Sequence, residues 1–157
     1  MTIELLADHM EALPTLARWQ HAEWGNLRVG DTLEARTARL EAETGRDQIP
    51  LTVVALEGAT VLGSASLIAH DMDTRPELTP WLAGVFVDPQ YRRRGIAGEL
   101  VRRIVAEAAK LGVPLLYLYT VHSEKLYASL GWKLMERTTY REHDVAIMTC
   151  VPEKERP

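Results

Sequence analysis

The sequence predicts an α/β (α+β) fold, a mixed central sheet of about seven strands with about four helices. An apolar run over residues 82–87 ends at Asp88-Pro89, and apolar residues at helical spacing then run from Ile96 to Leu111. A second apolar run follows at residues 115–119. A strand, a helix and a strand at this spacing form a right-handed crossover, so we expect these two strands to be parallel.

The start of the chain predicts one strand and two helices. Residues 3–6 alternate weakly and can form a first strand. Pro14 suits the first turn of a helix, for which Gly25 supplies the end. Asp31 and Glu34 stand at capping-box spacing and predict the start of a second, thinner helix.

Two apolar runs, residues 51–56 and 61–68, flank a Glu-Gly-Ala-Thr turn and predict a hairpin. Gly63 inside the returning strand indicates a bulge or a close backbone contact. Residues 70–80 are polar and form a loop that leads into the strand at 81–87.

The end of the chain predicts a short helix over residues 123–130 and a final antiparallel pair. Its strands are expected at residues 132–137 and 145–151, around a polar loop at 138–144, and a charged, frayed tail follows from Pro152. The resulting order is β-α-α-β-β-β-α-β-α-β-β.

The turn between the central strand and the central helix has the composition of an anion site. Arg92, Arg93 and Arg94 precede Gly95, and Gly98 follows inside the helix. The free N–H groups of a helix N-terminus and the helix dipole favour an anion there, and glycine lets the backbone approach it closely. A phosphate or pyrophosphate is the expected ligand.

Length and composition limit the classes of function. A chain of 157 residues is expected to form a single domain over residues 1–157. The net charge of −4 argues against nucleic-acid binding, and one cysteine, Cys150, excludes disulfides and cysteine zinc sites within the chain. Without a membrane-length apolar run or a signal-like start, we expect a cytoplasmic protein that does not bind membranes.

The strand-turn-helix resembles the central motif of the GNAT superfamily of N-acetyltransferases. The family pattern Gln/Arg-x-x-Gly-x-Gly/Ala is matched by Arg92, Gly95 and Ala97, and a second family signature, Leu-Tyr-x-x-x-Gly-Phe, is approximated from Leu126 to Trp132. The order of helices and strands is also that of the GNAT fold, in which the parallel pair of strands splays apart.

The resemblance implies a binding site for acetyl-CoA as co-substrate, with no metal. The residues expected to bind it are Val85, Phe86 and Val87 on the strand, the turn and helix start Arg92, Arg93, Arg94, Gly95, Ile96, Ala97 and Gly98, and Thr120 and Ser123 after the next strand. Thr120 stands where the family often has Asn, and it could instead cap the short helix. His122, in the same loop, could be a base or a surface residue.

The resemblance also implies catalytic groups. Tyr127 matches the family tyrosine that lies near the coenzyme A sulfur, so it is the candidate general acid, with core packing as the alternative. The strand at 81–87 has no carboxylate. The upstream loop supplies Asp71, Asp73 and Glu77, of which Asp71 is ranked first as the catalytic group that binds the amine or relays its proton.

Further residues were considered for the acceptor side. Asp73 and Trp81 are the expected substrate-binding residues, although plain core packing serves equally well for Trp81. His21, Glu23 and Asn26 near the end of the first helix lie in a region that lines the acceptor side in the family.

Other nucleotide-binding and covalent readings fit less well. A Gly-x-Gly-x-x-Gly fingerprint and a P-loop are both absent, and the five histidines have no i, i+4 pairing for a metal. Cys150 stands in an apolar strand, which indicates a structural thiol rather than an acyl carrier. Direct attack of the acceptor on the thioester is therefore favoured.

Two functions from different classes remain open. The first is acetyl transfer to a primary amine of a small molecule or peptide, and the second is a non-catalytic acyl-CoA-binding sensor or interaction module of the same fold. The sequence is compatible with a homodimer.

Overall fold

The computed structural model describes residues 1–25 and 30–153. Its four α-helices are α1 (Leu13–Trp24), α2 (Leu33–Ala42), α3 (Ile96–Lys110) and α4 (Glu124–Ser129). Its seven strands are β1 (Thr2–Leu5), β2 (Leu51–Glu57), β3 (Thr60–Ile68), β4 (Trp81–Val87), β5 (Leu116–Thr120), β6 (Lys133–Tyr140) and β7 (His143–Cys150). This order of helices and strands confirms the predicted one.

The strands form one mixed sheet in the order β1-β2-β3-β4-β5-β7-β6. Neighbouring strands are antiparallel except β4 and β5, which are parallel. Helix α3 connects these two strands, as the crossover in the sequence predicts. The parallel pair therefore lies in the middle of the sheet, with antiparallel strands on both sides.

Helices cover both faces of the sheet, and strand β2 shows how. Val53 and Ala55 belong to a core cluster with the apolar face of α3, whereas Val54 and Leu56 pack with α1 and α2 on the opposite side. Because successive side chains of a strand point to opposite faces, a strand buried on both sides is apolar at nearly every position, and among residues 51–56 of β2 Thr52 is the exception. Residues 51–56 are all buried.

Two irregularities shape the centre of the sheet. Gly63 faces β4 so closely that a Cβ atom there would lie 2.3 Å from the carbonyl oxygen of Phe86, which is why only glycine fits. In β4, Ser64 and Ser66 of β3 pair with Phe86 and Ala83, so β4 contains one extra residue, and Gly84 has a φ of +63°. This bulge bends β4 just before it reaches the cationic turn.

Two sequence-based predictions about local structure are wrong. Thr32, not Asp31, caps α2, because the Thr32 side chain accepts a hydrogen bond from the Ala35 N–H at 3.0 Å. The expected loop at 138–144 is instead a continuation of both strands to a two-residue turn. Arg141 and Glu142 each have positive φ there, the backbone conformation of a tight hairpin turn.

Two expectations fall on residues that the structure does not describe. Asn26 lies outside the described residues, and so do residues 154–157 of the predicted tail. Among the described helices, none combines the length and the apolar character that crossing a membrane requires.

Candidate functional site

A cleft of about 840 Å³ opens where β4 and β5 separate. Its walls include the ends of both strands, the start of α3, the α4 region, and residues of α1 and α2. All the predicted site residues line it except Arg94, Asp73 and Trp81; the lining set comprises Asp71, Val85, Phe86, Val87, Arg92, Arg93, Gly95, Ile96, Ala97, Gly98, Thr120, Ser123 and Tyr127. The structure thus brings together residues that are 56 positions apart in the chain, from Asp71 to Tyr127.

The cleft exists because the parallel strands are paired at one end only. Within the described residues, the β4–β5 ladder has a single pair, Trp81 opposite Tyr117. The Tyr117 N–H also donates to the Pro80 carbonyl at 3.1 Å. Further along, residues 82–87 of β4 and 118–120 of β5 do not pair with each other, and they line the cleft instead. The edge of β4 is therefore available to an extended ligand.

The turn before α3 presents a helix N-terminus to the cleft. Gly95 is the N-cap, with a φ of 76° and no side chain to cap the first turn. A Cβ atom on Gly95 would meet no heavy atom within 4 Å, so the space beside this backbone is open. The N–H groups at the start of α3 can thus reach an anion, and the glycine is required by its left-handed conformation.

The three arginines of the turn have three different surroundings. Arg92 is turned back, and its Nε donates to the Val87 carbonyl at 2.9 Å. Arg93 is exposed and lines the cleft. Arg94 lies over the ring of Tyr91, 3.9 Å from the Glu57 carboxylate, and is outside the described lining of the cleft. Arg92 and Arg93 therefore stand in the lining of the cleft and Arg94 does not, and the contact of each with a ligand stays a prediction.

Tyr127 lies on α4 and lines the cleft. It is 8% exposed and its ring packs edge-on against Trp132 at 6.2 Å between centroids. Burial raises the pKa of the Tyr127 phenol to about 12. The hydroxyl is therefore protonated at every physiological pH and can act as a proton or hydrogen-bond donor. Tyr127 packs in the core and also lines the cleft, so its position is compatible with both sequence-based interpretations, and the acid role stays a prediction.

The loop between β5 and α4 contributes polar groups to the same wall. Thr120 Oγ1 accepts a hydrogen bond from the Ser123 N–H at 2.9 Å, which fixes the entry into α4. This bond is not a cap of α4, because the N-cap is Ser123 and it has no side-chain cap hydrogen bond. His122 is exposed and also lines the cleft.

The acidic loop and Trp81 are placed less favourably than the sequence indicates. Asp71 lines the cleft, but Asp73 is exposed and lies 3.5 Å from Arg141 Nη2, outside the lining. Glu77 is exposed as well. Trp81 is fully buried, and its indole N–H donates to the Leu78 carbonyl at 2.7 Å. Of the two roles that the sequence left open for Trp81, the structure favours core packing, because the ring is fully buried and outside the described cleft lining.

Sequence reasoning missed the contribution of α2. Arg36, Arg39 and Glu43 line the cleft, and their spacing of three and four residues puts them on one helix face. Burial raises the pKa of the Glu43 carboxyl, and the nearby charge of Asp71 adds to this, against the opposing effects of Arg39, Ser66 and Arg36. The apolar face of α2 is thin, and the polar side chains of such a helix are usually expected to face solvent. For this reason the sequence does not predict that these three side chains line a cleft.

A buried carboxylate anchors the two arginines. The Asp31 side chain is fully covered, and it contacts His21 Nδ1 and Arg39 Nη2 at 3.1 Å each and Arg36 Nη2 at 3.6 Å. Burial alone would raise the pKa of Asp31, but the His21 hydrogen bond and the charges of Arg36 and Arg39 outweigh it and lower the pKa. This cluster holds the end of α1 to α2 at the rim of the cleft.

Two chemical alternatives gain nothing from the geometry. Cys150 is half-buried on β7, and burial, with the charge of Glu153, raises the pKa of its thiol, which disfavours the reactive thiolate. Among residues 1–25 and 30–153, the structure has no cluster of three or more His, Cys, Asp or Glu side chains arranged to hold a metal ion.

Known proteins were compared with the chain. The model of the Acetyltransferase (GNAT) family matches residues 13–132, more than half of the chain. None of the curated proteins compared with it is a match.

Solved structures resemble this fold closely. The aminoglycoside 6'-N-acetyltransferase from Enterococcus faecium has a TM-score of 0.75 at 16% identity, covering 100% of this chain and 99% of that one. A Salmonella typhimurium protein solved with its cofactor acetyl-CoA has a TM-score of 0.72 at 18% identity, covering 100% and 96%. Ribosomal-protein-alanine N-acetyltransferase from Brucella melitensis has a TM-score of 0.73 at 21% identity, covering 96% and 99%. At such identities the likeness speaks for the fold.

Proposed function

Since the chain belongs to the Acetyltransferase (GNAT) family, we propose that it moves an acetyl group from acetyl-CoA to a primary amine of a small molecule or peptide. One observation carries this proposal. A helix N-terminus built for an anion, a free strand edge and a buried tyrosine share a single cleft. An acyl-CoA has parts that suit each of these, in the same order along its length.

The donor lies across the turn and along β4. Its pyrophosphate accepts hydrogen bonds from the backbone N–H groups at Gly95–Gly98, where the helix dipole also favours negative charge. Arg93 adds a positive charge at the mouth of the cleft. The pantetheine arm extends beside Val85–Val87 in the place that a paired β5 would occupy, which puts the thioester near the Tyr127 hydroxyl.

Transfer then proceeds by direct attack in a ternary complex. The neutral amine nitrogen attacks the thioester carbonyl carbon and a carbon–nitrogen bond forms. The nitrogen then loses one proton to solvent, and the carbon–sulfur bond breaks as the tetrahedral intermediate collapses to the amide. Tyr127 donates a proton or hydrogen bond to the departing sulfur as negative charge develops on it. The phenol pKa is about 12, which is above that of a thiol. If the phenol gives its proton to the sulfur, the resulting phenolate therefore takes a proton back from solvent.

The acceptor enters from the α1–α2 side of the cleft. Asp71, which lines this half, binds the cationic ammonium form of the amine. Two structural relatives are named for amine acceptors, an aminoglycoside and the alanine of a ribosomal protein, and this supports an amine as acceptor without selecting one.

The alternative is a non-catalytic module that binds acyl-CoA. Its support is the absence of a carboxylate on β4 (residues 81–87). The cleft nevertheless contains carboxylates from other segments, Glu43 and Asp71, so this support is weaker than it is from the sequence alone.

The test is turnover with a panel of amines. The chain is incubated with acetyl-CoA and a polyamine, an aminoglycoside, free amino acids, and peptides with an N-terminal alanine or an internal lysine. Thiol release that depends on one amine, together with an acetylated product by mass spectrometry, is the expected result. Binding of coenzyme A by calorimetry without any acetylated product would favour the module and overturn the proposal.

A further inference from the structure

Glu43 is a carboxylate in the wall of the cleft on the α1–α2 side, where the acceptor is proposed to enter. It directly follows α2, whose last residue is Ala42, and it lines the cleft. Arg36 and Arg39 stand on the same helix face, and Asp31 anchors both of them by its buried side chain. The position of Glu43 is therefore set by a helix end that is itself held to α1 through this ion cluster.

The surroundings of Glu43 on the neighbouring strand are polar and fixed. Ser66 of β3 lies near Glu43 and lowers the pKa of its carboxyl, and the Ser66 hydroxyl lies 2.8 Å from the hydroxyl of Thr52 on β2. Thr52 is fully buried and Ser66 is 4% exposed. Glu43 and Ser66 both line the cleft, so the carboxyl has a buried polar neighbour and is open to a bound substrate, as a group that takes a proton from that substrate requires.

The charged groups that face Glu43 come from several segments. Arg36 and Arg39 favour its ionised form, and Asp71 from the loop before β4 opposes it. Other ionisable side chains of the same cleft come from α1 and from the β6–β7 hairpin, namely Glu23, Arg141 and His143. Burial is the largest effect on Glu43 and raises its pKa, so this carboxyl is a stronger base than a solvated glutamate.

We propose that Glu43 is a catalytic residue that accepts the proton of the acceptor ammonium, while Asp71 binds the same group by charge. This inference rests on the proposed acetyl transfer. The ammonium gives one proton to a Glu43 oxygen, which leaves a lone pair on nitrogen for attack on the thioester. When the carbon–sulfur bond breaks, the nitrogen loses a second proton. Of the two protons, one ends on the coenzyme A sulfur and the other passes through Glu43 to solvent.

The test compares Glu43→Gln with Glu41→Gln, a matched change at an exposed position of the same helix end. The measurement is kcat/KM between about pH 6 and pH 10 with the amine that the wild-type chain acetylates best. We expect Glu43→Gln to lose about 100-fold at neutral pH and to recover as the pH approaches the pKa of the amine, because solvent then supplies neutral amine. Glu41→Gln should follow the wild-type profile.

Further measurements separate a catalytic role from a structural one. Glu43→Gln should bind coenzyme A within about twofold of wild type and should unfold cooperatively, and Glu43→Asp should regain part of the activity with a titrating profile. A wild-type profile for Glu43→Gln would overturn the inference alone. An equal loss at every pH would also overturn it, since a base must become dispensable when the amine is already neutral. No turnover by the wild-type chain with any amine would overturn the proposed function together with it.

Discussion

The guanidinium of Arg92 donates a hydrogen bond from Nε to the carbonyl oxygen of Val87 at 2.9 Å. Its charged carbon also lies 5.7 Å from the centre of the Phe86 ring. The cationic turn is thereby tied back to the end of β4, on which the ring of Phe86 packs between those of Trp19 and Trp24. The Arg92 side chain thus sets the position of the turn relative to the strand edge.

Arg92→Ala is expected to weaken coenzyme A binding by about tenfold, because the turn loses its attachment to Val87. Arg94→Ala is the matched control, since Arg94 is an exposed neighbour outside the described cleft lining. It removes the same charge, and we expect less than a threefold loss. Calorimetric titration at two salt concentrations measures both. Equal losses for the two variants would mean that charge, and not the attachment, decides binding.

Gly95→Ala is expected to weaken coenzyme A binding by tenfold or more, because a methyl group would occupy the open space beside the helix N-terminus. Gly112→Ala is a close control. Gly112 has a φ of +75°, against +76° for Gly95, and its added Cβ would likewise meet no atom within 4 Å. Both variants should lose about 1 kcal/mol of unfolding free energy. If both bind coenzyme A like the wild type, the anion does not approach Gly95.

Tyr127→Phe should lower kcat by roughly 100-fold and change coenzyme A affinity little. Since the phenol pKa is about 12, the loss should be the same throughout the neutral pH range, in contrast to Glu43→Gln. Tyr117→Phe, in β5 and outside the described cleft lining, serves as control. An unchanged kcat for Tyr127→Phe would remove the residue as the acid and leave it a packing role.

Asp31→Asn should cost about 1.5–3 kcal/mol of stability at neutral pH, because the arginines lose a buried, hydrogen-bonded carboxylate. The folded-state pKa of Asp31 is lowered, so its contribution is fully present above the unfolded-state pKa and is lost as the pH falls through the folded-state value. The difference between variant and wild type in urea unfolding should therefore shrink on acidification. Asp8→Asn, which breaks the exposed pair with Arg46, should cost less than about 1 kcal/mol.

Glu43→Gln should be more stable than the wild type at neutral pH. The folded-state pKa of Glu43 is raised. The contribution of Glu43 to the stability of the protein is therefore highest below the unfolded-state pKa and is lost as the pH rises through the folded-state value. Glutamine does not ionise and avoids this loss. Denaturant midpoints measured from about pH 4 to pH 8 should diverge in favour of the variant, with Glu41→Gln unchanged. A less stable variant at neutral pH would contradict a raised pKa.

Much of the fold was predictable because its signals are local. The apolar run of residues 82–87, the glycine turn and the apolar face of α3 specify a strand and a helix without knowledge of the rest of the chain. The hairpin turn at Arg141-Glu142 was missed because a prediction from local signals fails where the local sequence has none. Neither residue is one that usually adopts positive φ, so the sequence has no turn signal there.

The sequence predicted the cleft wall formed by the turn before α3 and by Tyr127, and it did not predict the wall formed by α2. Gly95 and Tyr127 stand within motifs, whereas Glu43 enters the cleft only through the packing of α2 against α1 and the sheet. Asp31 illustrates the same limit. Its spacing to Glu34 is that of a capping box, but its carboxylate contacts His21, Arg36 and Arg39 instead. These residues lie ten positions before it and five and eight positions after it, and no local motif has that spacing.

Among the described residues, strands β4 and β5 are joined by the single pair of Trp81 and Tyr117. This weak joint is a seam that divides the sheet into four strands, β1 to β4, and three, β5 to β7. If an acyl-CoA binds in this seam as proposed, it touches both parts and so contributes to their cohesion. Bound donor then adds to the unfolding free energy by RT ln(1 + [L]/Kd), about 2.7 kcal/mol when its concentration is 100 times Kd. Under this proposal, resistance to unfolding would rise and fall with the concentration of coenzyme A and its acyl forms.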